Sequence, residues 1–173
     1  MALLRFREVP ARNWLWLDDD QPLEKDANAV VSLARLEREG EALFAQGGAV
    51  AVRLASDEPA ERLAPYVDRL AMIALDFPVF KDGRSFSNAR ILREHYGYQG
   101  ELRAVGDVLA DQIRFMLRCG FDSAELAERV SPAAAERALA RYSVVYQAAS
   151  DEAAPAHRLR RLAKNQAEWD VGL

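Results

Sequence analysis

With 173 residues, half of them hydrophobic and 29% charged, the chain has ordinary globular composition and the length of one domain with its own core. A formal net charge of −4 argues against a general electrostatic grip on nucleic acid. The single cysteine, Cys119, cannot make an internal disulfide or, alone, a cluster or structural zinc site, and it fits a reducing cytoplasm.

Residues 1–27 are expected to form an N-terminal arm. Arg5, Arg7 and Arg12 interrupt the segment and leave no long apolar run, so neither a signal peptide nor a transmembrane helix is expected. The alternation of Trp14 and Trp16 with Leu15 and Leu17 suits a short strand or a docking arm, and Asp18–Asp20 with Pro22 then breaks structure.

A βα-repeat domain is expected over residues 28–150. A first strand at 29–33 leads into a helix with Leu33, Leu36, Leu43 and Phe44 on one face, ended by Gly47-Gly48. Residues 49–54, AVAVRL, read as a strand covered on both faces. Ser56-Asp57-Glu58-Pro59 opens a predicted helix running through Leu63, Tyr66, Val67 and Leu70. A third strand follows at 72–77, ended by Pro78. After the turn Lys81-Asp82-Gly83-Arg84-Ser85, Ser85 or Ser87 is expected to cap a helix to about Tyr96, with Gly97 as its left-handed terminator. A fourth strand at 101–106 leads to Asp107 as the expected N-cap of a helix carrying Val108, Leu109, Ile113, Met116 and Leu117. Gly120 ends that helix, a fifth strand occupies 121–126, a helix follows Pro132, and 143–149 reads as a last strand or extension. The tail, 151–173, is basic around His157–Arg161 and Lys164 and expected to be helical.

Strand and helix therefore alternate at roughly 20–30-residue spacing, the size of a compact βα unit. That pattern predicts an α/β fold with a mainly parallel sheet. A closed eightfold barrel takes about 200–250 residues, so a partial, TIM-barrel-like sheet is expected, with a small doubly wound open sheet as the alternative. A partial sheet leaves edges, so a homodimer that completes the sheet or buries Trp14 is a further expectation.

In either architecture the functional rim is the carboxyl end of the strands. The third and fourth strands deliver the densest polar chemistry of the chain to that rim. Lys81, Arg84, Ser87, Arg90 and Arg103 are the candidate ligand-binding residues, suited to a small oxyanion at a helix start. Asp76, Asp82, Asp107, Asp111 and Gln112 are candidates to orient or cap. The competing reading is that Arg84 and Arg90 pair with neighbouring carboxylates and hold the loops. Asp107 with Asp111 are two carboxylates without a third, so no metal site is assigned. Arg93 and Arg114, with Arg118, read as solvated helix face, and Cys119 as a packed thiol at a helix end. His95 and His157 lack a serine or cysteine partner for a triad, no catalytic residue is assigned, and no nicotinamide or flavin fingerprint is present.

The stretches FPxFxDGR at 77–84, FSxARxLR at 86–93, GELRAxGDVLxDQ at 100–112 and RCGFD at 118–122 closely resemble the bacterial domain-of-unknown-function family 934. Its members are often labelled as oxidoreductases of sulfite reduction, because they tend to be encoded beside sulfite reductase. The resemblance implies a cytoplasmic protein of sulfur assimilation, with sulfite reductase or another protein of that pathway as partner. Sulfite reduction takes six electrons, and the sequence offers no recognisable cofactor motif, so an accessory role, binding an oxyanion or a partner, is expected rather than catalysis alone. The other expectations are a non-catalytic interaction module that docks through Trp14–Leu17 or apolar helix faces, and a small barrel-type enzyme of unassigned reaction. No nucleic acid or membrane partner is expected.

Overall fold

The computed structural model describes residues 2–151 and 153–162. Its centre is one strongly curled, half-barrel sheet of seven strands. They are β1 (Ala2–Arg5), β2 (Leu15–Trp16), β3 (Ala29–Ser32), β4 (Val50–Leu54), β5 (Met72–Phe77), β6 (Glu101–Gly106) and β7 (Ser123–Leu126). The spatial order is β1-β7-β6-β5-β4-β3-β2. All neighbours pair in parallel except β1, which runs antiparallel to β7.

From β2 to β7 the spatial order follows the chain without reversal. A doubly wound sheet needs a point where the order turns back, so that alternative is set aside. Crossovers that all step one way, each right-handed, put the connecting helices on a single face. Side-chain alternation agrees. Val31, Val52, Leu54, Ile73, Leu75, Phe77, Leu102 and Ala104 belong to the large core shared with the helices, while Val30, Ala51, Met72, Ala74 and Val105 form a small cluster on the opposite, concave face. Residues 1–27, read as an arm, contribute a strand to each edge of the sheet. Trp14 packs against the concave cluster of its own chain.

The helices are α1 (Leu33–Ala45), α2 (Arg84–Arg90), α3 (Ile113–Arg118) and α4 (Pro132–Ala140); a further helical stretch covers 156–162. Ser32 caps α1 by accepting from the Arg35 N–H, and Ser131 caps α4 by accepting from Ala134. No helix among the described residues is long and apolar enough to cross a membrane.

Several local expectations need correction. The predicted helix from Ser56 to Leu70 is a 3₁₀ turn, Ala60–Leu63, followed by further turns. Its N–H groups reach back three residues, as from Arg62 to Pro59 and Tyr66 to Leu63. Pro65 supplies no N–H, which breaks an i→i−4 ladder there. Neither Ser85 nor Ser87 caps α2. Gly83 holds the N-cap position, the Asp82 carboxylate accepts from the Arg84 N–H at 3.2 Å, and the buried Ser85 hydroxyl donates to the Asp76 carbonyl at 2.5 Å. The helix continues to His95 as a π turn, closed by Tyr96 N–H to the Ile91 carbonyl. Asp107 is no N-cap either: α3 starts later, through a 3₁₀ turn at Ala110–Gln112, and the Gln112 side chain accepts from the Leu109 N–H at 3.0 Å. Residues 143–149 form no strand and contribute only the bridge Val145–Pro155. The expected tail helix is present over 156–162, and the expectation for Lys164 and beyond lies outside the described residues.

Two glycines with positive φ, Gly97 (63°) and Gly120 (97°), end α2's extension and α3. Each is followed by a buried aromatic, Tyr98 or Phe121, and then by the next strand, so the same exit geometry recurs in consecutive βα units.

Candidate functional site

Residues in register on neighbouring parallel strands point to the same face. The concave face can therefore be read in layers. Trp16, Val30, Ala51, Met72 and Glu101 stand side by side, then Ser32, Arg53, Ala74, Arg103 and Ser123 one step toward the carboxyl ends. Trp14 covers the apolar part of this surface. The carboxyl-terminal layer is open on the β3–β5 side, at Ser32 and Arg53, and closed at Arg103 and Ser123, which are buried. A cleft of about 620 Å³ lies on the open side, lined by Trp16, Asp18, Asp19, Ser32, Arg53, Glu58 and Asp76 among others.

Inside the cleft, the half-exposed Arg53 guanidinium donates one N–H to Asp76 Oδ2 at 2.9 Å. The other oxygen, Asp76 Oδ1, is buried with no hydrogen-bond partner among the described residues. It lies against Gly106, where an added Cβ would come within 2.9 Å of it. Glu58 accepts from the Ala55 N–H at 2.8 Å, which closes the end of β4. Ser32 donates to Asp19 at 2.5 Å, and the buried Arg35 donates to the Asp18 carbonyl at 2.8 Å. These contacts fasten the acidic turn after β2 to the start of α1, so the carboxylates of Asp18 and Asp19 stand at the mouth of the cleft.

The residues predicted for the site do not converge. Asp82, Arg84 and Ser56 form their own cluster beside the cleft: Ser56 donates to Asp82 at 2.6 Å, and Arg84 grips the same carboxylate at 2.7 and 3.0 Å. Hydrogen bonds from Arg84 and then Ser56 hold the Asp82 carboxyl well below the usual carboxylate range. Lys81 is exposed near them and makes no ion pair among the described residues, and Ser87 is exposed on α2. Arg90 is exposed and paired with Glu94, four residues on, at 3.0 Å. Arg103 is buried on the concave face between Glu101 (2.8 Å) and Glu125 (3.1 Å), with Ser123 donating to Glu101 at 2.5 Å. Asp107 is taken by Arg129, Asp111 is exposed, and Gln112 serves its own helix start. Among the described residues no group of three His, Cys, Asp or Glu could hold a metal ion.

Sequence reasoning missed Arg53, Glu58, Ser32 and Trp16 as cleft residues. Arg53 carried a signal. It is the one charged residue of AVAVRL, at the position that alternation sends to the face opposite Val52 and Leu54. Reading that strand as covered on both faces hid it. Arg93, read as solvated, is in fact a largely buried clamp. It donates to the carbonyls of Tyr98, Gly100 and Gly120 and to the Asp122 carboxylate. Burial pushes the Asp122 carboxyl above its ordinary range despite that partner. Burial likewise pushes the Cys119 thiol up to about 11, so the packed-thiol reading agrees with its surroundings.

No curated protein matches the chain. A family model described as "Bacterial protein of unknown function (DUF934)" matches residues 51–157, from β4 through the start of the last helical stretch. The match spans most of the chain, including all the motifs around β5, β6 and β7, and on that ground the chain belongs to this bacterial family of unknown function.

Proposed function

We propose that this protein is a small-molecule-binding accessory factor whose ligand sits in the cleft at the carboxyl ends of β3, β4 and β5. One observation carries the reading: the cleft sets a single half-exposed arginine, Arg53, among four carboxylates, Asp18, Asp19, Glu58 and Asp76. Arg53 spends one N–H on Asp76 and has further donors facing the cleft, which suits one anionic group of a ligand. The surplus of carboxylates repels a bare oxyanion and favours a cationic group on the same ligand. The ligand class is thus a small zwitterion, with an ammonium and a carboxylate or similar acid close together. The context proposed for it is sulfite reduction in the cytoplasm, on the resemblance to family members so labelled, with electrons carried by other proteins.

Thermal unfolding with glycine, L-lysine, sulfite, sulfate and phosphate tests this. A zwitterion at a hundredfold excess over its Kd stabilises by about 2.7 kcal/mol, or roughly 5–10 °C in a chain of this size. Arg53→Ala and Asp76→Asn should each remove the shift. The oxyanions expected at Lys81, Arg84, Ser87, Arg90 and Arg103 are the competing arm. To bind there they must displace Asp82 from Arg84 and Glu94 from Arg90. A shift with sulfite alone, retained in Arg53→Ala and lost in Arg84→Ala, would replace the zwitterion reading by the oxyanion one.

A further inference from the structure

A second surface lies apart from the cleft and shares none of its lining residues. The segment after α4 exposes Tyr142, Val144 and Tyr146, whose relative exposure reaches 85% at Tyr146. Two contiguous hollows meet at Tyr146 and Gln147. One, of about 290 Å³, is lined also by Arg114, Arg118, Tyr142 and Val144. The other, of about 450 Å³, is lined also by Ala148, Ala156, His157 and Arg160. Together they make a groove lined by apolar, aromatic and cationic side chains. Water gains nothing from so much exposed ring and methyl surface held at one place, and clustered exposed apolar area marks an interaction site.

Charge says what kind of occupant fits. The chain as a whole carries −4, yet among the described residues no carboxylate lines either hollow. Asp151, nearby, is already consumed by Arg118 at 3.2 Å and is 4% exposed. Among the described residues Arg114 Nε is buried with no hydrogen-bond partner, and its other end makes a long contact, 3.4 Å, to the Leu139 carbonyl. Arg141 adds a guanidinium over the Tyr142 ring at 5.6 Å. A groove of this make-up has donors in search of acceptors around a floor that takes side chains. A nucleic acid strand needs a continuous cationic track for its phosphates. Here Val144, Val145, Ala148 and Ala156 interrupt any such track. A peptide needs only an apolar anchor with a carboxylate on each side.

We propose that this groove docks an acidic segment of a protein partner, one that places an aromatic or aliphatic side chain against Tyr142, Val144 and Tyr146 and carboxylates against Arg114 and Arg160. The proposal does not depend on the cleft or on what it binds.

The test uses the full chain and a fluorescein-labelled peptide of alternating Glu and Leu with one central Trp, read by fluorescence anisotropy. The acidic peptide should bind. The same peptide with Gln in place of Glu should bind at least about tenfold more weakly, a difference of about 1.4 kcal/mol. Tyr146→Ser should weaken the acidic peptide by a similar factor with an unchanged melting curve, because that side chain is almost wholly in solvent. Arg114→Gln should lower affinity and flatten the salt dependence. Failure of the acidic peptide to bind, equal affinity for the Gln peptide, or no effect of Tyr146→Ser would overturn the proposal. Tighter binding of an oligothymidylate or of anionic phospholipid vesicles than of the peptide would also overturn it and identify a different partner class.

Discussion

Replacing Arg93 by methionine should destabilise the protein by about 3–5 kcal/mol at neutral pH, the usual cost of removing one partner of a buried ion pair. Arg93 and Asp122 are 13% and 9% exposed. The guanidinium also satisfies the carbonyls of Tyr98, Gly100 and Gly120, so one side chain ties the exits of two βα units to the start of β7. Methionine preserves most of the stem's packing but leaves three carbonyls without that donor and the Asp122 carboxylate, which keeps the Leu102 N–H at 2.8 Å, without its close cation. Urea and thermal unfolding should show a drop in Tm of roughly 6–20 °C. The pH dependence makes the reasoning specific. The Asp122 carboxyl already titrates above its ordinary range because of burial, and loss of the arginine raises it further. A carboxyl raised in the folded state favours folding below its unfolded pKa, and that contribution is lost as pH rises through the folded value. The deficit of Arg93→Met should therefore shrink as pH falls toward about 4 and be largest near neutrality. Arg93→Met combined with Asp122→Asn should cost less than the sum of the single changes. A deficit under about 1 kcal/mol at neutral pH, or one that does not shrink in acid, would refute the buried-charge account.

Two further outcomes follow from local geometry. With its thiol pushed to about 11 and only 2% exposed, Cys119 should react with a thiol reagent at pH 8 about a hundredfold more slowly than a free cysteine; rapid labelling of the folded protein would contradict this placement. Gly106→Ala should cost at least about 1–3 kcal/mol, because φ is +95° there and a Cβ would stand 2.5 Å from the Phe77 carbonyl and 2.9 Å from Asp76 Oδ1. The same change should disturb the Arg53–Asp76 pair, so ligand-induced stabilisation at the cleft should fall more than global stability does.

Much of the strand layout is legible in the sequence. AVVSL, AVAVRL, MIALDF and ELRAVG are short, largely apolar runs carrying Val or Ile, FDSAEL follows the helix-ending Gly120, and each contains a strand of the parallel sheet. The 56–70 segment reads as a helix because acids, a proline and a 3.6-residue apolar spacing are all present, yet Pro65 in its middle turns it into 3₁₀ and simple turns. Ser85, Ser87 and Asp107 are good caps by residue type, but Ser85 is claimed by the Asp76 carbonyl and Asp107 by Arg129.

The sequence by itself determined the α/β alternation, the parallel sheet too short to close, the glycine exits at Gly97 and Gly120, and the family. These are encoded in neighbours within a few residues, through periodicity and backbone dihedral preference. Only the tertiary structure decided which charges face one another. Arginine is long and pairs with whichever carboxylate the fold brings within reach, so Arg84 and Arg90 are held by near neighbours, Arg103 is buried between Glu101 and Glu125, and Arg93 clamps Asp122. Arg53, inconspicuous in its strand, is brought to Asp76 by the register of β4 on β5. The polar stretch between Ile73 and Leu126 is thus mostly framework, and the open cleft is completed by residues from β2, β3 and β4 that precede it in the chain.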